Sequence, residues 1–485
     1  MNHPYKKNVV IIGGGPAGLG AALMLVKRGW TEITVLEKRP SADYYEPDKS
    51  FSYQIDGRGQ KLTYLLELTP KLADLSVPNT DFYFTIIQKD GTRKTIKLPI
   101  ADSKRKTAYW LPRAAFVDLF YQEITQHWQD SIQVLFQTEC VEIKQNQDNL
   151  EIITQSRDKQ QLTLTPTLVV GCDGLNSIVR QTLHQWQQGT SDSFVMQQFP
   201  SPSTGLRYKV LTLPPQFPLS ETAGDLAQST MAYGIRSTFK GRQKAISLGL
   251  LPFKNPDQPR TANIITYPDH EIWQLEATAE VEQFLKQAFP QLPLEKILSP
   301  EEIARFTSSD GGKFPIPQYC SGLHQIWGQP QDNQGTGVIL LGDAAHCFPP
   351  DIGQGVNSAL EDVYLLHEIL AETQDNLSEA LPRYESLRQP DIKALIRLVQ
   401  ISYPWQYNQD PLQKKLWSVN FFLRLLLSRG FPLLFNPHSF ILIQNHELSY
   451  SEILAKSNGT TKALGILAGL AILTFAILFG YFRYY

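Results

Sequence analysis

Three glycines and one acid carry the first recognisable chemistry in this chain. Gly13, Gly15 and Gly18 stand in the spacing Gly-x-Gly-x-x-Gly directly after the apolar run Val9 to Ile12, and Glu37 follows nineteen residues after the last of them. In that order the first glycine permits a tight turn and the second lets the backbone approach a pyrophosphate. The third lets a helix pack closely on the strand. Residues Gly18 to Arg28 keep helical periodicity through Leu19, Ala22, Leu23 and Val26, which puts the phosphate at a helix N-terminus, with Ala17 in its first turn. Ile33 to Leu36 reads as a second strand ending at Glu37. A carboxylate there holds the ribose hydroxyls of an adenosine and favours a free 2′-hydroxyl.

Two further stretches share this grammar of strand, glycine turn and helix. Leu168 to Val170 runs into Gly171-Cys172-Asp173-Gly174, and Asn176 to Arg180 opens a helix. Val338 to Leu341 ends in Gly342-Asp343-Ala344-Ala345-His346. Pro349, Pro350 and the turn Gly353-Gln354-Gly355 then feed a helix near Val356, whose apolar residues Ala359, Leu360, Val363, Tyr364 and Leu366 recur at helical spacing. An aspartate at a strand end accepts hydrogen bonds from polyol hydroxyls. A glycine-loosened helix start presents main-chain N–H groups to an anion.

The elements that must position these residues belong to a chain of 485 residues, enough for two or three domains. Its 45 Lys and Arg against 47 Asp and Glu give a net charge of −2, which argues against the electrostatic footprint that nucleic-acid binding needs. With 42% hydrophobic and 19% charged residues, the chain is neither disordered nor a multi-span membrane protein. Cys140, Cys172, Cys320 and Cys347 lie far apart, with no CxxC pair and no His/Cys cluster at metal spacing. Reduced, buried thiols and no metal site are the expectation. The first residues hold only a four-residue apolar run, so no secretory leader is expected.

Between the glycine motifs the pattern turns to strands. Phe82 to Ile87 and Thr92 to Leu98 flank Lys89-Asp90-Gly91, a hairpin signal. Leu206 to Leu213, Met231 to Ile235, Ala245 to Leu251 and Asn263 to Tyr267 add further strands, and Val281 to Phe289 looks helical. Near the end, Ala463 to Phe482 has twenty residues without a charge. As a helix it would be about 30 Å long, the thickness of a bilayer's hydrocarbon core. Lys456 and Lys462 precede it and only Arg483 follows, which places the bulk of the protein on the cytoplasmic side. Upstream, Leu416 to Ile443 is apolar but interrupted by Arg424, Arg429, Pro432 and Pro437; it could line a tunnel or lie on a membrane surface, and core capping is the favoured expectation.

In combination, GGGPAG, GCDGLNSIVR and LLGDAAHCFPPDIGQGVNSALEDV, with a looser match in KSFSYQIDGRGQKL, resemble the single-component FAD-dependent aromatic hydroxylases of the p-hydroxybenzoate hydroxylase type. Within them the kynurenine 3-monooxygenase type is nearest. The resemblance implies an α/β fold: a Rossmann-like FAD-binding domain, an inserted mixed β-sheet substrate domain, a helical C-terminal region and one transmembrane helix. The expected boundaries are 1–75, 107–185 and 331–390 for the FAD domain, and 76–106 and 186–330 for the substrate domain. The helical region would span 391–455 and the transmembrane helix 463–482.

The implied function is hydroxylation of an aromatic, kynurenine-like molecule through a flavin hydroperoxide, with NADPH or NADH and dioxygen as co-substrates. No second Gly-x-Gly-x-x-Gly is present, so a separate nicotinamide domain is not expected; the resemblance implies that NAD(P)H docks transiently on the FAD domain. By the same resemblance Gly13, Gly15, Ala17, Gly18, Glu37 and Arg39 would hold the ADP half of FAD. Arg58 belongs to the looser match, Arg113 would steady the cofactor, and Asp173 and Arg180 would serve FAD and nicotinamide handling. Asp343 would bind the ribityl chain. Pro350, Gly353, Gln354, Gly355 and Val356 would line the flavin ring, Pro350 doubling with Asn357 as a residue at the reaction centre. His346 and Cys347 are expected to be structural. The family's substrate-binding Arg/Tyr pair has no clean match: Arg93 and Tyr109 are the nearest types, and Tyr403 or Tyr407 could stand for its C-terminal tyrosine. The open alternatives are a membrane-associated epoxidase of the squalene or carotenoid kind, a geranylgeranyl-reductase-like flavoprotein, and an FAD-bound scaffold without chemistry.

Overall fold

The structure, a computed structural model, describes residues 8–49, 52–79, 83–97, 106–187, 193–330, 334–407 and 409–484. The expected strand ends at Phe82 and Leu98, and Ser50 and Phe51 of the looser motif, lie outside them.

A parallel sheet forms where the sequence shows short, fully apolar runs, because a strand covered on both faces by helices carries no polar alternation. Its strands are β1 (Asn8–Ile12), β2 (Glu32–Leu36), β3 (Ile132–Leu135), β4 (Leu168–Gly171), β5 (His324–Gln329) and β6 (Gln334–Leu340). Their spatial order is β5-β6-β4-β1-β2-β3, with only β5 antiparallel. Val9 pairs with both Leu168 and Ile33, and Val169 pairs with Val338. The order reverses between β1 and β4. That crevice, at the carboxyl ends of the strands, is where open α/β sheets bind ligands.

Helices α1 (Pro16–Lys27), α2 (Arg113–His127) and α3 (Ile178–Gln187) belong to this layer. So do α4 (Gly355–Glu372) and α5 (Leu377–Ile401). Helix α1 has ten buried residues in a row, Ala17 to Val26, so it is enclosed on every side between the sheet and its neighbours α2 and α4. Pro16 at its start fits the first turn, where a missing N–H costs nothing.

A second sheet of seven strands joins Tyr83–Ile87 and Arg93–Lys97 to Arg207–Leu213, Ala232–Arg236, Ser247–Leu250, Arg260–Thr266 and Gly312–Lys313. It is mixed, as expected: Tyr83–Ile87 runs parallel to Ala232–Arg236, and the other pairings are antiparallel. Its own apolar cluster, including Leu211, Ile235, Leu248, Ile264, Phe284 and Phe306, is separate from the larger cluster around the parallel sheet.

The last helices depart from two expectations. The apolar tail belongs to α7 (Tyr450–Tyr484), which begins thirteen residues before the charge-free run and enters it without a break. None of its most apolar eighteen-residue window is buried against protein. The stretch from Leu416 caps the core only at its end, where Ile443 joins the large apolar cluster and Phe435 and Ile441 are buried. Helix α6 (Pro411–Gly430) and the turn after it hold Leu416, Val419, Phe422, Leu426, Phe431 and Leu433 in the open, because the helix turns its one buried residue, Arg424, inward toward α7.

Candidate active site: a glycine cradle with an open carboxylate

The glycine turn after β1 is shaped by contacts that only glycine tolerates. Gly13 has φ +107°, and a Cβ there would stand 2.3 Å from the carbonyl oxygen of Cys172 at the end of β4. A Cβ on Gly18 would meet the carbonyl oxygen of Gly13 at 1.8 Å. Gly15 differs: a Cβ there would meet nothing within 4 Å, so its backbone faces open space. Close packing at the first and third glycines and room at the second are what a pyrophosphate-binding turn requires.

Glu37 closes this turn. Its Oε2 accepts the Gly14 N–H and its Oε1 the Arg39 N–H, each at 2.8 Å, and the side chain is only 5% exposed. Arg39 donates Nε to Glu46 at 2.7 Å, and Arg113 Nη1 lies 3.4 Å from the same carboxylate oxygen. Gly14, Glu37, Arg39, Glu46 and Arg113 line a cleft of about 460 Å³, which Thr212 and Thr261 of the second sheet and Phe253, between two of its strands, also line. That volume lies in the range of small-molecule sites, and its two arginines are set among Glu37, Asp43, Glu46 and Asp118. Neither Glu46 nor the second-sheet wall carries a sequence signal, since only folding brings them here.

Asp343 sits beyond the end of β6 and does not line that cleft. Its side chain is exposed, yet protein surrounds it closely enough for burial to raise its pKa, against the pull of His346 and Arg113. Both observations fit a carboxylate on the wall of a deep opening. Tyr53, whose hydroxyl hydrogen-bonds Arg113, is electrostatically coupled to Asp343 as well. Arg113 therefore connects the cleft with the opening at Asp343.

The turn beneath Asp343 is held from α4. Asp362, fully buried, accepts the Gly342 N–H at 2.7 Å, His346 Nε2 at 2.8 Å and Arg388 Nε at 2.7 Å. His346 is thus a packed structural residue. Glu361 beside it takes Arg58 Nη1 at 2.7 Å and Arg388 Nη1 at 2.9 Å.

The Arg58 guanidinium belongs to this network: it is 1% exposed, lies 4.1 Å from the Tyr450 ring and bonds the Leu448 carbonyl, so it ties α7 to α4. Arg180 is also held by protein groups. It gives Nη1 to the Ala344 carbonyl at 2.8 Å and Nη2 to the Leu175 carbonyl, so it braces the Asp343 turn from below. Asp173 caps α3 through Oδ2, which accepts the Ile178 N–H at 2.6 Å.

The turn before α4 is also built rather than reactive. Asn357, placed at the reaction centre by resemblance, is 1% exposed; it donates to the carbonyls of Gln54 and Gly353 and accepts the Asp56 N–H at 3.0 Å. The Gln354 side chain is spent between Asp56 and the Tyr450 hydroxyl. Pro350 starts a single 3-10 turn and is exposed, while Val356 is half-buried in the first turn of α4. Gly353, at φ +64°, and Gly355 would each carry a Cβ into open space. What this turn offers is therefore main-chain surface at a helix N-terminus.

The nearest candidates for the substrate pair fail. Arg93 lies on the outer hairpin, paired with Asp225 through both guanidinium nitrogens, and Tyr109 packs against the large core. Tyr403 stacks on Trp417 and Phe440, away from the turn. Tyr407 meets Phe314 edge-on at 5.5 Å, and Phe314 meets Tyr208 of the second sheet at 5.7 Å. Next to Tyr407, Gln406 donates to the main-chain oxygen of Asp351 at 3.0 Å, which brings this aromatic row to the Pro350–Gly355 turn. Among the described residues no cluster of His, Cys, Asp and Glu could hold a metal ion, and the cysteines are unpaired.

The open backbone at Gly15, Gly353 and Gly355, and the open carboxylate of Asp343, suit an elongated dinucleotide with a polyol bridge and a planar ring. FAD has those parts. The sequence profile of the FAD binding domain family matches residues 6–201 and 330–399, which include every residue of the cradle. A kynurenine 3-monooxygenase of Salinispora arenicola is 24% identical over 486 residues, covering 96% of this chain and 97% of that one. The violacein synthase of Chromobacterium violaceum is 25% identical over 452 residues, 89% of this chain and 92% of that one. Among solved structures, 2-methyl-3-hydroxypyridine-5-carboxylic acid oxygenase aligns with a TM-score of 0.58 at 16% identity, over 87% of this chain and 95% of that one. The chain belongs to the FAD binding domain family and is an FAD-dependent monooxygenase of the aromatic hydroxylase kind.

Proposed function

We propose that the protein hydroxylates a kynurenine-like aromatic amine or acid, using NAD(P)H and dioxygen, from the surface of a membrane. The observation that carries the substrate class is the aromatic row Tyr208, Phe314 and Tyr407, which spans from the second sheet to the flavin-side turn. Rings in tilted and edge-on contact make a wall that favours another planar ring. The relatives' names point the same way over nearly the full length of the chain, and do not favour the epoxidase or reductase alternatives.

FAD, when bound, supplies the redox chemistry with nicotinamide and dioxygen. The protein's residues do the rest. The Gly13–Gly18 turn and α1 hold the pyrophosphate, Glu37 and Arg39 the adenosine side, and Asp343 the polyol. The N-terminus of α4 at Gly355 presents main-chain N–H groups that favour negative charge on the ring. The division into an FAD domain and an inserted substrate domain is supported by the two separate sheets and apolar clusters. Helix α7 anchors the chain, and Lys456 and Lys462 before its charge-free run favour a cytoplasmic catalytic part.

The test is turnover by the detergent-purified protein. Kynurenine should stimulate NAD(P)H oxidation with little peroxide release, and the product should gain one oxygen atom by mass. Oxidation no faster than without ligand, across kynurenine and related aromatic amines and acids, would overturn the substrate class.

A further inference from the structure

The face built by α6 and the turn after it has no partner among the described residues. Leu416, Val419, Phe422, Leu426, Phe431 and Leu433 project from one continuous surface, and Leu433 is 98% exposed. Scattered exposed apolar residues need no explanation, but a contiguous patch does. The charges on this segment all have one sign. From Pro411 to Pro437 the sequence holds Lys414, Lys415, Arg424 and Arg429 and no acidic residue. A basic helix with one apolar face is the pattern of an element lying in the plane of a membrane.

Its position fits that occupant. Arg424 bonds the Ser457 carbonyl at 3.1 Å and the Thr461 hydroxyl at 2.8 Å. The Asn436 N–H bonds the Thr460 hydroxyl, also at 2.8 Å. These contacts fasten both ends of the apolar turn to the part of α7 that immediately precedes the charge-free run from Ala463. The exposed side chains thus stand beside the place where α7 would enter a bilayer.

We propose that α6 and the turn Phe431–Leu434 dock in the plane of an anionic lipid surface, with Val419, Leu426 and Leu433 among the lipid and Lys414, Lys415 and Arg429 toward headgroups. This rests on the reading of α7 as the membrane anchor and adds a second contact to it. The protein is then held flat against the surface by two elements. Basic residues are attracted to an anionic surface, so the three outer cations reinforce the apolar contact.

The experiment uses the full-length protein in vesicles of phosphatidylcholine and phosphatidylglycerol. An environment-sensitive fluorophore is placed in turn at Val419→Cys, Leu426→Cys, Leu433→Cys, Leu470→Cys in the anchor, and Lys159→Cys as a solvent reference, in a Cys140→Ser background. Lipid-borne nitroxide should quench the labels at 419, 426, 433 and 470 several-fold more than aqueous iodide does, with the reverse at 159. If 470 is quenched by nitroxide while 419, 426 and 433 are quenched by iodide, the anchor stands and the docking face is refuted. If those three are shielded from both quenchers, a second copy or another protein covers the face, and the proposal is again overturned. If 470 is quenched by iodide, the anchor itself falls, and this inference with it.

Discussion

Asp362 accepts the main-chain N–H of Gly342 at 2.7 Å, so a buried carboxylate on α4 sets the turn that presents Asp343. The same carboxylate holds His346 and Arg388, so the placement of Asp343 depends on a fully buried ionic network two turns into the following helix. Burial opposes the charge on Asp362, but His346, Arg388 and the Gly342 amide outweigh it and keep its pKa below the usual carboxylate range.

Replacing Asp362 leaves Arg388 and His346 buried without their partner. Removing one member of a buried ion pair costs about 3–5 kcal/mol. Asp362→Ala should therefore lower the free energy of unfolding by that amount and lose flavin on purification, both read from denaturant titration and flavin absorbance. A variant of wild-type stability would show that the network is not what holds the turn.

Asp343→Ala separates cofactor binding from folding. The side chain is exposed and no hydrogen bond from it is seen among the described residues, so far-UV circular dichroism should be unchanged while the purified protein loses its yellow colour. A yellow, fully loaded variant would remove Asp343 from the site.

Gly15 and Gly18 should respond in opposite ways to the same added methyl group. Gly15→Ala places its Cβ in open space, so stability should stay within about 0.5 kcal/mol while flavin affinity falls. Gly18→Ala drives a Cβ to 1.8 Å from a carbonyl oxygen and should unfold or aggregate the protein. Equal loss of stability in both variants would refute the assignment of Gly15 to the phosphate.

Asp351 gives a pH dependence with a definite sign. Burial pushes its carboxyl up to about 7, against hydrogen bonds from Ser203 and Gln406. An acid with a raised native pKa binds its proton more tightly folded than unfolded. Its ionisation therefore costs stability as pH rises from about 4 through about 7, by at most about 4 kcal/mol. Asp351→Asn should remove that dependence. Denaturation midpoints should match near pH 4 and diverge in favour of the variant by pH 8; parallel curves would refute the assignment.

Arg93→Ala should leave the KM for the aromatic substrate unchanged, because its guanidinium is committed to Asp225 on the outer hairpin. A KM raised tenfold or more would restore it as a substrate residue.

The nucleotide-binding half was legible because its signals are local. Gly13, Gly15, Gly18 and Glu37 lie within one β-α-β unit, and the constraints that choose them, positive φ and close backbone approach, act over a few residues. The charge-free run of α7 was legible for a similar reason, since length and composition alone identify it. Asp343 stood out from its strand-end position. Arg58, Arg180 and Asn357 carried the right residue types at motif positions, yet a motif does not say whether a guanidinium or an amide is already committed. Their partners, Glu361, the Ala344 carbonyl and the Asp56 amide, are brought in from elsewhere in the chain.

The sequence by itself determined the family chemistry: a dinucleotide cradle, a strand-end carboxylate, a glycine turn at a helix start, and an apolar helix long enough to cross a bilayer. Only the tertiary structure decided which polar side chains stay free to meet a cofactor, and which way the apolar face of α6 points. Both depend on contacts between residues far apart in the chain. Arg424 turns inward because Ser457 and Thr461 wait for it there, and the leucines on the other side of the helix are left facing outward.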